Sequence, residues 1–468
     1  MPARPSAPPL ASAIVFAIGL LAACVVAGLM AVDPARAFGV TLALPVLLLI
    51  GLDLGAGLGV SVGMLFLAGI PALSAGPNVI CVAVLLAWLG TLSRHRARAA
   101  RYVREHRAML GAVALLFVWL ALSLAWAPKT SEGAADLALW ALGGLTFLVV
   151  AMVMGTRRTA VLVCAGFVAG AFLAATYGLI ESGLRPAQSA IASSVDGEDR
   201  LGVGGAGDPN YFAAMLVPAI ALAIGLGAFA RSVARRALLV AAIAVMTTAL
   251  VATQSRGGLI AVGVALLAAL VLLRGSRLRV LMAVTPLLAV GALWFVMNPA
   301  AFERVTQSDG GGTGRSELWD VAWEVVGDHP VVGVGLNNFR TVSGRYVRRP
   351  QSLEFAELIN ERPIVVHNVY LQLLAETGIV GLSLFLILAA GCLRSGWRAA
   401  ATFERAGDRP MAGLARAAVV GTIGTLTTSF FLSNGADRRL WVLLALGPAL
   451  LVVARGAQEA HLATRSRH

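Results

Sequence analysis

The chain has 468 residues and a formal net charge of +13, and 58% of its residues are hydrophobic whereas only 13% are charged. A typical soluble domain contains about 25% charged residues, so this composition excludes an ordinary soluble enzyme, a secreted disulfide scaffold and a disordered protein. Apolar runs recur along the whole chain, which predicts one integral membrane domain over 1–468. The four cysteines lie in or beside these runs without metal-ligand spacing and are assigned to packing.

The predicted elements are apolar segments separated by polar connections. Some of the segments are short or rich in glycine, and one hairpin could be re-entrant. They therefore predict an all-α, polytopic membrane protein with about 12–14 transmembrane helices. In chain order the segments are 10–32, 38–52, 54–73, 76–92, 108–127, 134–154, 159–181, 211–230, 237–253, 258–273, 280–297, 369–393, 411–432 and 440–454.

The basic residues indicate the topology. All but one of the 37 are arginine, the exception being Lys129, and they lie between apolar runs rather than on one soluble face, which argues against a nucleic-acid partner. If the N-terminus is cytoplasmic, the arginine-rich connections all fall on the cytoplasmic side, as the positive-inside rule requires. An even number of helices then places both termini there. These connections are 94–107, 155–158, 231–236, 274–279, 394–410 and 455–468.

Two loops, 182–210 and 298–367, are too long to be simple connections, and both fall on the extracytoplasmic side. Loops displayed on a rigid scaffold commonly carry function. In the second loop, apolar residues spaced three and four apart predict an amphipathic helix over 315–327, which ends before Pro330. The residues 333–338 predict a turn. We therefore expect a partly helical extracytoplasmic loop and an active face on that side.

Two tryptophans of the predicted amphipathic helix, Trp319 and Trp323, suit a helix that lies at the membrane interface. Arg315 opens the same helix. A cation at a helix N-terminus opposes the helix dipole, so a purely structural role is less natural for this arginine.

Arg256 lies in the turn Thr253-Gln254-Ser255-Arg256-Gly257-Gly258, between two apolar segments. An arginine at the bilayer centre costs roughly 2.5–3.5 kcal/mol on insertion scales, so we expect this one to face a polar cavity or the interface. The guanidinium matches phosphate geometry, which makes Arg256 a candidate anion clamp. A helix-end cap explains the position equally well.

The first long loop ends in Gly207-Asp208-Pro209-Asn210-Tyr211, and Arg200 precedes that sequence. Glycines let the backbone approach a ligand, and Asp208 or Asn210 could cap the next helix. A flexible loop with a cap is the simpler interpretation. The acidic residues upstream could hold a hard cation or could simply be solvated; they are Asp196, Glu198 and Asp199.

His367 lies where the second long loop meets an apolar helix. A histidine can act as a general base near neutral pH, or it can simply cap the helix. Glu376 follows within or near the membrane, where we expect a buried carboxylate to have a partner such as an arginine. A nucleotide-binding motif is missing from the sequence, which argues against ATP-driven transport.

Four stretches, in this order, resemble the O-antigen ligase and polysaccharide polymerase superfamily. The last two are the most specific, because His-Asn followed by Glu-x-Gly-x-x-Gly after a long outer loop is hard to obtain by chance. The close resemblance covers about residues 195–395, and the N-terminal third is similar only in hydropathy. The stretches are Arg200 with GDPNYFA, TQSRGG, RSELWDVAWEVVGDHPVVGVGLNNF and HNVYLQLLAETGIVGL.

The resemblance implies the GT-C-like helical fold of membrane glycosyltransferases and a metal-independent, inverting transfer that needs no cofactor. It implies that His367 is the catalytic residue. The implied ligands of the donor diphosphate are Arg200, Arg256 and Arg315, and the implied supporting residues are Asn368, Glu376 and Asn210.

The implied donor is a glycan on a polyprenyl (undecaprenyl) diphosphate, and the implied acceptor is a hydroxyl of lipid A–core or of a growing polysaccharide. Ligase and repeat-unit polymerase both stay open. The implied location is the bacterial inner (plasma) membrane, among its lipids, with cytoplasmic termini and a periplasmic active face. The alternative is a multi-spanning transporter or a lipid-linked glycan flippase, which predicts internal repeats and ionisable residues near the membrane midplane.

Overall fold

The computed structural model describes residues 49–68, 84–89, 100, 102–104, 106–184, 201, 208–272, 277–306, 315–347 and 365–465. Within these ranges the protein is all-helical and contains no strand, as the sequence predicts. The helices are α1 (Leu54–Met64), α2 (Arg107–Leu122), α3 (Thr130–Val153), α4 (Arg157–Leu184), α5 (Pro209–Leu226), α6 (Val233–Ala252), α7 (Arg256–Leu272), α8 (Arg277–Met297), α9 (Pro299–Thr306), α10 (Arg315–Asp328), α11 (Phe339–Val347), α12 (Val369–Arg405), α13 (Arg409–Thr428) and α14 (Arg438–Arg465).

Seven of the described helices are long and apolar enough to cross a membrane, and they belong to α2–α6, α12 and α14. Shorter apolar helices lie in α1, α7 and α8. The prediction of a polytopic helical membrane protein is therefore confirmed. The total of about 12–14 helices stays a prediction, because segments such as 10–32 lie outside the described residues.

An aromatic cluster fixes α14 against α3. Trp441 is fully buried, and its indole packs edge-on against Trp140 and Phe147 with ring centroids 6.1 and 6.3 Å apart. Such edge-to-face pairs contribute beyond their buried area. The indole N–H donates to the Gly435 carbonyl at 2.9 Å. Because Gly435 lies in the connection between α13 and α14, the same tryptophan also holds that connection in place.

The helix ends form two faces. The one that we call the His367 face carries the α6–α7 turn, the start of α12 and the α13–α14 connection. The other, which we call the opposite face, carries the α5–α6 and α12–α13 connections. On the opposite face, Arg157 pairs with Asp408 at 3.4 Å and its guanidinium lies over the Phe229 ring.

Helix α12 is interrupted at Gly378, where φ is 66° and ψ is −172°. The break frees backbone groups inside a candidate membrane span, where an unpaired group costs several kcal/mol. The turn that follows α10 pairs with them: the Glu376 carbonyl accepts the Gly335 N–H at 2.7 Å, and the Ile379 N–H donates to the Pro330 carbonyl at 2.9 Å. The long loop therefore completes the backbone hydrogen bonding of a broken helix.

This contact explains why two glycine-containing motifs occur together. Gly333 has a φ of 68°, and a Cβ there would collide with the backbone of Glu376. A Cβ on Gly378 would collide with the backbone of Val331. On the other side of the break, the Trp119 indole N–H donates to the Thr377 carbonyl at 2.8 Å. The Gly-Val-Gly and Glu-Thr-Gly sequences thus form the two halves of one close backbone contact.

An apolar cavity of about 450 Å³ lies between α5, α6, α7, α8 and α13. It extends from Leu259, close to Arg256 on α7, to Gly413 near the beginning of α13. Thr247 is the one polar residue among the described residues that line it. A cavity of this character accommodates hydrocarbon rather than ordered water, which needs polar partners.

Candidate functional site

His367 lies just before Asn368, the N-cap of α12, and its backbone has a conformation that residues other than glycine rarely adopt. Its φ is 54°, in the left-handed region, which costs a non-glycine residue of order 1–3 kcal/mol and is a recurrent feature of functional sites. The His367 N–H donates to the Ser433 hydroxyl at 3.1 Å, and the preceding Val366 carbonyl accepts the Trp319 indole N–H at 3.0 Å. Two distant elements therefore hold the half-buried histidine.

Asn368 begins α12 as its N-cap. Its side-chain oxygen accepts the N–H groups of Tyr370 and Leu371 at 3.0 and 3.1 Å, which satisfies donors that a helix leaves unpaired at its start. The Val369 N–H donates to the Ser429 carbonyl at 2.9 Å. The helix start is thus anchored to Ser429 at the end of α13, and His367 projects from a fixed point.

Arg256 is exposed at the first position of α7. Gln254, two residues earlier, has a φ of 51°, so the turn also passes through the left-handed region. The buried Ser255 hydroxyl donates to the Asn210 side-chain oxygen at 2.8 Å and accepts the Gly258 N–H at 3.1 Å. This arrangement presents a guanidinium at a helix N-terminus, and the positive end of the helix dipole also favours an anion there.

The start of α5 connects the arginine turn to the histidine. Asp208 caps this helix by accepting the Asn210 N–H at 2.7 Å. Asn210 binds the Arg256 turn through Ser255, and the hydroxyl of the next residue, Tyr211, donates to the Ser433 carbonyl at 2.6 Å. The cap that the sequence predicts is therefore present, and the Asn210 side chain joins the first loop to the arginine turn.

The connection between α13 and α14, residues 429–437, is the part of the site that the sequence analysis missed. Ser433 contacts both His367 and Tyr211, and Phe431 packs against Gly257 in the arginine turn. The available signal was the polar sequence Ser-Asn-Gly-Ala-Asp between two apolar segments. Its contacts use a hydroxyl and backbone groups rather than a titratable side chain, so no sequence pattern marks them.

Glu376 lies deeper in α12 and is only 2% exposed. Its carboxylate accepts the Asn337 N–H at 2.8 Å and the Gln372 side-chain N–H at 3.3 Å. The partner that we expected was an arginine; the structure instead supplies a backbone amide of the long loop and a side-chain amide. Asp136 lines the same small polar cavity, which also reaches Ser433. Glu376 therefore joins the long loop to the broken helix.

Two further arginines, Arg200 and Arg315, are predicted to bind the diphosphate. Arg200 lies outside the described residues; the adjacent Leu201 is buried, and its N–H donates to the Ala252 carbonyl at 3.1 Å, close to the arginine turn. Arg315 begins α10, as predicted, but its side chain lies outside the described residues. The acidic positions 196–199 are also outside them. Among the described residues, no three His, Cys, Asp or Glu side chains form a group that could hold a metal ion.

The comparison with protein families finds a match that covers part of this site. A family model described as O-antigen ligase matches residues 241–386, which include the Arg256 turn, α10, His367 and the break at Gly378. This region is the family's O-antigen ligase domain. The chain thus carries the domain of a membrane glycan ligase or polymerase. Asn210, Tyr211 and Ser433 complete the site from outside the matched range, and the comparison with curated proteins finds no match.

Proposed function

We propose that this O-antigen ligase-family protein transfers a glycan from a polyprenyl diphosphate to a hydroxyl acceptor at its His367 face. The observation that carries the proposal is the strained His367, whose backbone N–H binds Ser433. Ser433 also binds Tyr211, and the adjacent Asn210 binds Ser255 in the turn of Arg256. The residue that carries the candidate base and the turn that carries the candidate phosphate-binding cation are thus linked by one set of contacts. The family match supports the reaction class.

The chemistry requires a base and a counter-charge. The His367 imidazole takes the proton of the acceptor hydroxyl, whose oxygen attacks the anomeric carbon of the glycan. The bond between that carbon and the diphosphate oxygen breaks, and the configuration inverts because the displacement is a single step. Arg256, with Arg200 and Arg315, neutralises the leaving diphosphate. We propose that the residues of the chain do this without a metal ion.

The apolar cavity supports a lipid-linked donor. It begins close to Arg256 and continues through the helices towards the opposite face, so a diphosphate held at Arg256 could place its isoprenoid chain in an apolar environment. The arginine-rich opposite face supports a cytoplasmic location for that side by the positive-inside rule. We therefore propose that the His367 face is periplasmic in a bacterial inner membrane.

The break in α12 is the observation that would support the transporter alternative, since transporters bind substrate at discontinuous helices. Here, however, the freed backbone groups are paired with the Pro330–Gly335 turn and with Trp119. The break is filled by protein rather than lining a path for substrate. His367 and Arg256 lie at helix ends rather than at the middle of the spans. These observations favour the glycosyltransferase.

The test is the profile of surface and lipid-linked glycans in a host strain carrying His367→Ala. We expect loss of transfer by about 100-fold or more, the range of general-base contributions, with the protein still folded in the membrane. Polymer that accumulates on the carrier identifies a ligase, and single repeat units identify a polymerase. The matched control is His329→Ala, because His329 is an exposed histidine beyond the end of α10. An unchanged profile in His367→Ala contradicts the proposed function.

A further inference from the structure

The α13–α14 connection contributes a residue that contacts both halves of the site. Ser433 accepts the His367 N–H with its hydroxyl at 3.1 Å and accepts the Tyr211 hydroxyl with its carbonyl at 2.6 Å. It lies outside the matched 241–386 domain. Its separation from both partners in sequence means that these bonds exist only in the folded protein.

The hydrogen bond to His367 acts on a strained backbone. A left-handed non-glycine residue persists only where its surroundings over-determine it. The neighbouring Val366 and Val369 are bonded to Trp319 and to Ser429, whereas Ser433 binds the backbone of His367 itself. Removing the Ser433 hydroxyl leaves that N–H without the serine acceptor and lets the residue turn towards an ordinary conformation. The imidazole direction would change with it, since φ sets the direction of the Cβ.

The carbonyl of Ser433 leads to the phosphate-binding side. Tyr211 adjoins Asn210, and the Asn210 side chain accepts the hydroxyl of Ser255, which precedes Arg256. One hydrogen-bonded route from the backbone of the base to the turn of the cation therefore passes through Ser433. A shift of about 1 Å between a base and the bound substrate can cost roughly 100-fold in rate.

We propose that Ser433 is a positioning residue, which sets where the His367 imidazole stands relative to the Arg256 turn. The inference rests on the proposed function. In this proposal Ser433 does not contact the substrate. Its two hydrogen bonds set the separation between His367 and the Arg256 turn, whose side chains do contact the substrate.

The experiment compares Ser433→Ala with the parent protein in membrane vesicles. The donor is the lipid-linked glycan extracted from host cells that lack this protein, and the acceptor fraction comes from the same cells. We expect kcat to fall about tenfold or more while KM for the donor changes less than about twofold, because positioning acts on the reaction step rather than on donor binding. Ser433→Thr keeps the hydroxyl and should restore most of the rate.

A double substitution measures the coupling. Tyr211→Phe removes the hydroxyl that binds the Ser433 carbonyl. If both residues act through one network, Ser433→Ala with Tyr211→Phe should be little slower than Ser433→Ala alone, whereas independent effects multiply. The matched control is Ser343→Ala: Ser343 is buried in α11, and its hydroxyl donates to the Arg340 carbonyl within that helix. It should leave kcat unchanged.

Each outcome decides the proposal. Parental kcat in Ser433→Ala overturns the positioning role and leaves the proposed function standing. A rise in KM without a fall in kcat, equal loss in the alanine and threonine variants, or multiplicative effects in the double substitution also overturns it. If the parent protein transfers no glycan, the proposed function fails, and the positioning role fails with it.

Discussion

The two faces of the protein are held together by different interactions. On the opposite face, charged side chains pair across connections, as in Arg157 with Asp408 and Arg158 with Asp53. On the His367 face, side chains bind backbone groups of distant segments, as in Trp319 to Val366, and the charged pair there, Arg439 with Asp437, is short-range and largely buried. Exposed ion pairs are adaptable and contribute about 0–1 kcal/mol, whereas hydrogen bonds to buried backbone groups are directional. We therefore expect the opposite face to tolerate substitutions, whereas the His367 face holds its residues in a fixed geometry.

Gly378→Ala should have the largest effect, because it disrupts the backbone contact between α12 and the turn that follows α10. The residue has a φ of 66°, and a Cβ would collide with the Val331 backbone, so we expect a loss of about 3 kcal/mol or more of unfolding free energy and loss of transfer. Thermal unfolding of the purified protein measures it. Gly391→Ala in the same helix meets nothing within 4 Å and should be neutral. Equal stability of the two variants would show that the break is not strained.

Arg256→Lys should lower transfer by about tenfold or more without lowering stability. Lysine keeps the charge but loses the planar fork that binds phosphate oxygens in pairs. The same change at Arg158, on the opposite face, should leave the rate as it is. Initial rates with the extracted donor test the comparison. Full activity of Arg256→Lys would remove Arg256 from the diphosphate site.

Trp319→Phe should slow transfer by about fivefold. The change keeps the ring but removes the N–H that donates to the Val366 carbonyl, beside His367, and such a bond contributes about 1 kcal/mol. Trp323→Phe is the matched control, because Trp323 is 58% exposed on the same helix. If both variants have the same rate, the tryptophan does not support the histidine.

Arg157→Gln should have the smallest effect. The Arg157 side chain is 54% exposed and its Asp408 partner 19% exposed, so the pair is partly screened by solvent, and we expect about 1 kcal/mol of unfolding free energy and an unchanged rate. High salt should reduce the difference from the parent protein further, since salt screens exposed pairs. A large loss of transfer would contradict the division of the protein into a tolerant face and a fixed one.

The sequence predicts the helices well, because a helix that spans a membrane needs a long run of apolar residues, which is visible in the hydropathy. The segment predicted over 134–154 is observed at Thr130–Val153, and the amphipathic helix predicted over 315–327 at Arg315–Asp328. The segment predicted over 369–393 continues to Arg405. The error arises because the polar C-terminal part of that helix lies beyond the apolar run that marks it.

The site is only partly predictable from sequence. His367 and Arg256 stand out because titratable residues at the ends of apolar segments are conspicuous. Ser433 and Tyr211 do not, because they act through a hydroxyl and a backbone carbonyl that have no spacing signature. The partner of Glu376 was misjudged for the same reason: a backbone N–H of the long loop can satisfy a carboxylate, and no sequence pattern distinguishes that donor from others.

The break in α12 also has a consequence for how the chain is made. During synthesis the turn of Pro330 and Gly335 emerges before Gly378, so it can already be on the far side of the bilayer when α12 enters. Until that turn docks, the Glu376 carbonyl and the Ile379 N–H lack the partners that the turn supplies, and unpaired backbone groups in lipid oppose full insertion. Docking and insertion are therefore coupled steps. We therefore expect that a delay in the crossing of the loop would delay the full insertion of α12.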